Sequence, residues 1–224
     1  MTTTGIILVA GNSTRYRKNI NKNFEILGTK MVFEYSLDAF NENANINNII
    51  IVAKKEESNI IENIIKNKIL NKNIKIVIGG NSRIESVCNA LNQTTSDLVI
   101  IQDGARPLIK QSFINNLLET ILLDNVSGVS VAVKSKDTIK ITNNNNFVLS
   151  TTNRKASWIV QTPQCFNRKI LADCYKKLSN IDSITDDCTI LENNNYKVKL
   201  IEGDYTNIKI TTPEDIYIVS NFIK

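Results

Sequence analysis

The sequence predicts an α/β protein built on a doubly wound, mainly parallel sheet. Short apolar runs of strand length alternate with segments of helical period along most of the chain, which is the pattern of a parallel sheet covered by helices. Of the 224 residues, 42% are hydrophobic and only 3 are proline, so the chain has enough apolar material for a substantial core. We therefore expect a single domain over residues 1–224.

The predicted elements begin with an apolar strand and a polar loop, after which helices and strands alternate. From Ile84 to Leu91 the apolar residues recur at i, i+3, i+4 and i+7, the spacing of one helix face. A longer stripe of the same kind covers residues 114–122, and Ser112 is available as its N-cap. The other predicted elements are strands at residues 6–9, 49–52, 74–78, 98–101 and 129–133 and helices at residues 33–40 and 60–69.

The pattern changes between residues 134 and 157. Two short β segments, at residues 138–142 and 147–152, are joined by four consecutive asparagines, which is a hairpin signal. We expect this polar hairpin to protrude as a β-arm and to pack on another subunit. Beyond it the α/β pattern resumes with a strand at 158–160, a helix near 170–178, a strand at 198–201 and a closing helix from Glu214.

The net charge and the residue types of the chain limit the class of substrate and the kinds of catalytic group that it can use. The net charge of +5 comes from Lys and Arg interspersed with acidic residues, without the like-charge block typical of a nucleic-acid arm. We therefore expect a small anionic substrate and no nucleic acid. The chain has no histidine, which excludes Ser/His and Cys/His nucleophiles and the usual Cys/His zinc patterns. The chemistry must then rest on Lys, Arg and carboxylates.

The expected location is the cytoplasm. No apolar run approaches the length of a membrane span, and the first residues lack the basic region of a secretory signal. The four cysteines show no Cys-x-x-Cys spacing and are expected to be reduced thiols. We therefore expect no membrane partner.

The first candidate for a binding site is the loop of residues 11–22. A doubly wound sheet holds its ligand outside the carboxyl ends of the strands, so the loops that follow residues 9, 78 and 101 should meet in one crevice. The first loop carries Arg15, Arg17, Lys18 and Lys22, and cations and exposed backbone N–H groups both favour oxyanions. It has no Walker A motif, and taken alone it fits a phosphate-binding loop and a solvated surface loop equally well.

Glycines follow the predicted strand at residues 74–78. Gly79 and Gly80 would let the backbone approach a flat ligand or a phosphate closely, and Ser86 in the first turn of the next helix could bind a base edge. An ordinary strand-to-helix turn capped by Asn81 or Ser82 is about as consistent with the local sequence.

Two further segments carry charged groups. Asp103 ends a buried strand, where a carboxylate can hold Mg²⁺ or a ligand hydroxyl, and Arg106 can bind a phosphate bidentately; the alternative is a plain Asp-Gly turn. Lys209 alternates with apolar neighbours and is predicted to point to one face of a strand. Thr212 and Pro213 then begin a helix, with Pro at its first position.

Six motifs follow one another along the chain. They are the Ala-Gly loop with Arg15 and Lys22, Gly-Gly-x-x-Arg-x-x-Ser at 79–86, Asp-Gly-Ala-Arg-Pro at 103–107, Gln-Thr-Pro-Gln at 161–164, Thr-Asp-Asp at 185–187 and Asn-Ile-Lys-Ile-Thr-Thr-Pro-Glu-Asp at 207–215. In this order they resemble the 2-C-methyl-D-erythritol 4-phosphate cytidylyltransferase family of the non-mevalonate isoprenoid pathway, whose close relative is ribitol 5-phosphate cytidylyltransferase. The resemblance covers essentially the whole chain.

The resemblance implies a Rossmann-like nucleotidyltransferase that uses CTP, Mg²⁺ and a polyol phosphate, and a homodimer in which the β-arm supplies Arg154 to the partner. It implies that Arg15, Lys22 and Lys209 are catalytic, stabilising the triphosphate and the charge at the α-phosphorus. It also places the CTP-binding residues at Val9, Ala10, Gly11, Gly80, Asn81 and Ser86, and the substrate-binding residues at Asp103, Arg106, Thr138, Arg154 and Thr185. Asp103 is in addition a candidate metal ligand, the alternative being that Mg²⁺ is held by the CTP phosphates alone.

The sequence departs from the family in the first loop. The family usually has Gly at the position of Ser13 and Met at that of Tyr16, and a non-Gly residue at positive φ carries strain of about 1 kcal/mol. Two alternative functions stay open. Ribitol 5-phosphate could be the acceptor, or the protein could bind CTP as a regulatory ligand without catalysis. A Rossmann dehydrogenase is disfavoured because the Gly-x-Gly-x-x-Gly fingerprint is missing.

Overall fold

The computed structural model describes residues 1–11, 16, 21–178 and 184–223, and these contain a central seven-stranded sheet. Its order is β11-β7-β10-β6-β1-β4-β5, and every strand pair is parallel except those of β10, which is antiparallel to both neighbours. The predicted α/β class with a mainly parallel sheet is confirmed. The strands of this sheet are β1 Thr3–Leu8, β4 Asn48–Ala53, β5 Asn73–Ile78, β6 Leu98–Asp103, β7 Gly128–Lys134, β10 Trp158–Asn167 and β11 Val198–Glu202.

Two small hairpins complete the strands. They are β2 Ile26–Leu27 with β3 Lys30–Met31, and β8 Lys140–Thr142 with β9 Val148–Thr151. Gly28, in the first hairpin's turn, has φ of 66°, a left-handed conformation that favours glycine. The β8–β9 ladder forms a separate sheet inside the segment predicted as an arm, and all of its side chains are exposed. Its role as an arm between subunits stays a prediction.

Helices cover both faces of the central sheet. They are α1 Val32–Glu42, α2 Ser58–Lys66, α3 Arg83–Leu91, α4 Gln111–Leu123, α5 Arg168–Lys176, α6 Asp187–Glu192 and α7 Pro213–Ser220. Strand β1 shows how the faces are divided, because successive side chains of a strand point to opposite sides. Ile7 packs with α1, α2 and α4, whereas Ile6 packs with α3, α5 and α6. None of the described helices is long and apolar enough to cross a membrane.

Strand register brings the carboxyl ends of the parallel strands to one edge. Leu8 of β1 is opposite both Val52 of β4 and Asp103 of β6, and Ala53 is opposite Ile78 of β5. The loops that follow these strands therefore meet at this edge, as the sequence predicts.

Two local predictions are wrong, and one predicted strand is longer than expected. The N-cap of α4 is Lys110 and not Ser112, which lies inside the first turn. Lys209 lies in an extended segment outside any strand, fixed by a hydrogen bond from Ile210 N–H to Ala105 O (2.9 Å). The strand predicted at 158–160 continues to Asn167 through an irregularity after Val160, because Pro163 lacks the N–H of a regular ladder and is accommodated at a bulge.

Candidate active site

A cavity of about 820 Å³ lies at the carboxyl edge of β1, β4, β5 and β6. Among the described residues its walls come from six segments of the chain, namely residues 8–11, 22–23, 54–56, 78–86, 103–105 and 209–211. Positively charged side chains outnumber carboxylates in the described lining of this cavity. The cations are Lys22, Lys54, Lys55, Arg83 and Lys209, and the carboxylates are Glu56 and Asp103. A cavity with this balance suits a polyanionic ligand.

The glycine loop packs so closely against neighbouring residues that Gly79 has no space for a side chain. A Cβ on Gly79 would lie 2.7 Å from the Cβ of Ala10 and 2.9 Å from Oγ of Ser86. The backbone is held locally, because Gly80 N–H donates to Ser86 Oγ (3.1 Å) and Asn81 N–H donates to Glu85 Oε2 (2.8 Å). Since Ser86 accepts the Gly80 proton, its own hydroxyl proton is available to a ligand acceptor.

Lys22 sits between two asparagines that are fixed to the end of β1. The side-chain amide of Asn21 donates to Val9 O (2.7 Å) and to Glu57 Oε1 (2.7 Å), and that of Asn23 donates to Val9 O (3.1 Å). Neither Asn21, Asn23 nor Glu57 is expected from the sequence, because their contacts join segments up to 36 residues apart. These bonds fix the backbone that presents Lys22 to the cavity.

Asp103 and Lys209 form an ion pair at the deep end of the cavity, with 2.8 Å between Asp103 Oδ2 and Lys209 Nζ. Arg106 Nε is 3.7 Å from the same oxygen. Burial by itself would raise the pKa of Asp103, but the positive charges of Lys209, Arg83 and Arg106 outweigh it and hold that pKa well below its usual range. Asp103 is therefore ionised at neutral pH.

The side chain of Arg106 is largely buried and is bonded to other residues of the protein. Its Nη1 donates to Asn207 O (2.7 Å), and its side chain is only 12% exposed. It thus ties the loop after β6 to the segment that carries Lys209.

A second cavity, of about 600 Å³, lies beside Arg106 and is lined mainly by residues of β10, α6 and β11. Of the residues that the structure describes, three line both cavities, namely Arg83, Asp103 and Lys209.

The comparison with known proteins decides the family. The family model described as IspD: 2-C-methyl-D-erythritol 4-phosphate cytidylyltransferase matches residues 3–224. The chain belongs to this family. As a member of the IspD family it is a nucleotidyltransferase enzyme.

Individual relatives agree with the family over the full length. The 2-C-methyl-D-erythritol 4-phosphate cytidylyltransferase of Caldanaerobacter subterraneus subsp. tengcongensis is 39% identical over 228 residues, covering 100% of both chains. The protein of the same name from Lachnoclostridium phytofermentans is 41% identical over 218 residues, covering 95% of this chain and 92% of its own. The crystal structure of 4-diphosphocytidyl-2C-methyl-D-erythritolsynthase from Anaerococcus prevotii has a TM-score of 0.86 at 32% identity and covers 99% of this chain and 98% of that one.

Most of the residues that the IspD resemblance assigns to the site line the two cavities. Lys22, Lys209, Ala10, Gly11, Gly80, Asn81, Ser86 and Asp103 line the first, and Asp103, Arg106, Thr185 and Lys209 line the second. Val9 is fully buried and does not line the first cavity, and its backbone oxygen accepts from the side chains of Asn21 and Asn23. Arg15 and Ser13 lie outside the described residues. Tyr16 is buried in a cluster with Leu27, Val32, Ile210 and Val219.

Thr138 and Arg154 are not brought to either cavity of this chain. Both are exposed, with Thr138 just before β8 and Arg154 in a short 3-10 turn after β9. The substrate-binding roles of Thr138 and Arg154, and the supply of Arg154 to a second subunit, therefore stay predictions.

The residues present do not form a metal site by themselves. Within the described residues, no three Asp, Glu, Cys or His side chains are close enough to hold an ion together. Asp103, the candidate ligand, already has Lys209 at 2.8 Å and Arg106 at 3.7 Å. Its carboxylate would have to exchange these cations for the metal, so Asp103 does not fit a resident metal ion.

The ion pairs of Asp103 make a prediction about stability and pH. A carboxyl group whose pKa is lowered on folding stabilises the protein above its unfolded pKa of about 3.9, and this contribution is lost as the pH falls toward the folded pKa. We expect the difference in free energy of unfolding between the wild type and Asp103→Asn to be constant from pH 7 to about pH 5 and to shrink below about pH 4. Urea unfolding at each pH measures it, and parallel curves down to pH 3 would contradict the assignment.

Proposed function

We propose that this enzyme transfers the cytidylyl group of CTP to 2-C-methyl-D-erythritol 4-phosphate, releasing pyrophosphate, as a step of isoprenoid biosynthesis. One observation carries the assignment of the substrates to the site. The cation-lined cavity beside the glycine loop meets a second, distinct cavity at Arg83, Asp103 and Lys209. CTP in the first and the polyol phosphate in the second would bring the two reacting phosphates together at this junction.

The reaction needs alignment and charge neutralisation more than proton transfer. An oxygen of the acceptor phosphate forms a bond to the α-phosphorus of CTP, and the bond from that phosphorus to the bridging oxygen of the β-phosphate breaks. A phosphate monoester is already largely ionised at neutral pH, so no histidine base is required. Lys22 and Lys209 would oppose the negative charge that gathers on the α-phosphoryl group and the leaving pyrophosphate.

A divalent cation is the expected cofactor of the family chemistry. Because Asp103 is occupied by cations, we propose that Mg²⁺ is held by the phosphates of CTP and enters with them. We also propose that the enzyme works in the cytoplasm, which is supported by four free cysteines.

Product formation from each candidate acceptor tests the function. CTP and Mg²⁺ are incubated with 2-C-methyl-D-erythritol 4-phosphate or with ribitol 5-phosphate, and pyrophosphate release and the CDP-polyol are measured. We expect turnover with the methylerythritol compound at least about tenfold above that with ribitol 5-phosphate. Preference for ribitol 5-phosphate would reassign the acceptor, and no product with either compound, despite CTP binding, would favour a nucleotide-binding protein without catalysis.

Arg154 provides a test of the dimer. We propose a homodimer in which the β8–β9 arm carries Arg154 to the acceptor phosphate of the partner, supported by the exposure of Phe147, Val148 and Leu149 on the hairpin (70%, 57% and 66%). Such apolar side chains would be covered by a second subunit. The expected oligomer in sedimentation experiments is a dimer.

Replacing Arg154 by alanine should raise the KM for the acceptor by about 10- to 100-fold, because a charge-assisted contact to phosphate is lost, while the KM for CTP changes little. Lys155→Ala, which removes the neighbouring exposed cation in the same turn, is the matched control and should behave like the wild type. An unchanged acceptor KM in Arg154→Ala would remove this residue from the substrate site.

A further inference from the structure

Arg83 occupies the junction of the two cavities and has no role in the mechanism above. It is the first residue of α3, directly after the glycine loop, and it lines both cavities together with Asp103 and Lys209. Its Nη2 is 2.5 Å from Oδ2 of Asp187, and its side chain is 31% exposed, whereas that of Asp187 is 0% exposed. The pair is thus asymmetric, with a buried carboxylate that anchors a partly open guanidinium.

The anchor is itself held in place. Tyr175 OH donates to Oδ1 of Asp187 at 2.5 Å, so each carboxylate oxygen of Asp187 has its own partner. Burial alone would lower the pKa of Arg83, but the charges of Asp187 and Asp103 raise it above its ordinary value. The guanidinium is therefore permanently charged and restricted in orientation before any substrate arrives, which reduces the entropy lost when it binds.

Arg83 has N–H groups that are not bonded to Asp187, and its side chain lines both cavities. In the described parts of the chain, the guanidinium has no hydrogen-bond acceptor besides Asp187. A guanidinium has five N–H donors in a fixed fork, so several remain for a ligand, and phosphate oxygens match this geometry. The neighbouring Lys209 is already paired with Asp103 at 2.8 Å, which makes Arg83 the junction cation with the most unused donors.

We propose that Arg83 is a substrate-contacting residue that donates to a phosphate oxygen at the junction of the two cavities, with Asp187 and Tyr175 as its positioning residues. The proposal deepens the proposed function and rests on it. The phosphate belongs either to the α-position of CTP or to the acceptor, and both supply the same chemistry. A purely structural role would require only that the Arg83–Asp187 pair hold α3 to α6.

The test compares Arg83→Lys with Arg168→Lys. Arg168 is likewise the first residue of its helix, is half-buried, bonds to Ser96 O (3.3 Å) and lines neither cavity. Lysine keeps the charge but loses the fork, so we expect kcat/KM for the acceptor to fall by about 10- to 100-fold in Arg83→Lys, with a melting temperature close to that of the wild type. Arg168→Lys should stay within about twofold of the wild type.

Calorimetric binding of CTP without acceptor distinguishes the two sources of the phosphate. A dissociation constant raised about tenfold would place Arg83 on the α-phosphate, whereas an unchanged constant with a raised acceptor KM would place it on the acceptor phosphate. The proposal is overturned if the dissociation constant of CTP and kcat/KM for the acceptor both stay within about twofold of the wild type. It is also overturned if the loss disappears when the assay is run well below the melting transition of the variant, since that result indicates instability alone.

Tyr175→Phe keeps the ion pair and removes only the bond to Oδ1 of Asp187, so it carries the test if Arg83→Lys does not fold. We expect a smaller drop in kcat/KM, about three- to tenfold, and an unchanged value in a folded Tyr175→Phe would overturn the positioning role. Failure of the proposed function is recognised separately, because wild-type enzyme would then give no CDP-polyol while CTP binding still reports on Arg83.

Discussion

Replacing Lys22 by alanine is expected to lower kcat by about 100- to 1000-fold, which corresponds to about 3 to 4 kcal/mol of lost transition-state stabilisation. Negative charge on the transferred phosphoryl group and on pyrophosphate is largest in the transition state, so a cation held against it acts mainly on turnover. Lys22 is suited to this because Asn21 and Asn23 bind its backbone to the end of β1 through Val9 O (2.7 and 3.1 Å).

The fold should be retained in Lys22→Ala, because the bonds of Asn21 and Asn23 do not involve the Lys22 side chain. Lys30→Ala is the control, since it removes a half-exposed cation paired with Asp38 on a neighbouring surface and should leave kcat within about twofold. Single-turnover rates of pyrophosphate release with both substrates saturating measure the effect. Near-normal turnover in a folded Lys22→Ala would show that the loop cation is dispensable.

Lys209→Ala should have an effect of similar size, about 100- to 1000-fold in kcat. This lysine faces both cavities, and its partner Asp103 keeps it at the junction where the new bond would form. The segment around it should keep its place without the ammonium group, because Ile210 N–H still bonds to Ala105 O (2.9 Å) and Arg106 still bonds to Asn207 O (2.7 Å).

Lys199 offers the matched control for Lys209. It is also a partly exposed lysine paired with an aspartate, Asp124, but it lines neither cavity, because its side chain points to the opposite face of β11 from those of Val198 and Leu200. Lys199→Ala should therefore keep kcat within about twofold of the wild type. If Lys209→Ala lost only affinity for the acceptor and kept its kcat, Lys209 would hold the substrate without stabilising the transition state.

The sequence predicted the parallel part of the sheet well for a physical reason. Strands buried on both faces read as continuous apolar runs, and β1, β4 and β6 have this form. The later part of β10 does not, because Pro163 and the flanking Gln161 and Gln164 interrupt the apolar run. The sequence did not reveal helix α6, because its six residues are too few to show a helical period.

Site residues that follow the ends of strands could be predicted from the sequence. Contacts between residues far apart in the sequence could not. Lys22, Ser86 and Asp103 could be expected to share one crevice, since the loops after parallel strands meet at one edge. The hydrogen bond between Arg83 and Asp187 joins residues 104 positions apart in the sequence, and no local sequence pattern predicts such a pair. The same holds for the hydrogen bond from Arg106 to Asn207 O, while the substrate-binding role of Arg106 stays a prediction.

The antiparallel strand β10 has a consequence for how such an enzyme can change. It lies between β6 and β7 and lines the second cavity but not the first. Under the proposed function, the walls of the second cavity can therefore be redesigned while the strands that line the first cavity keep their own framework. A library restricted to the residues of β10, α6 and β11 that line the second cavity should therefore yield enzymes with new polyol preferences and the original nucleotide, a modular route to altered CDP-polyols.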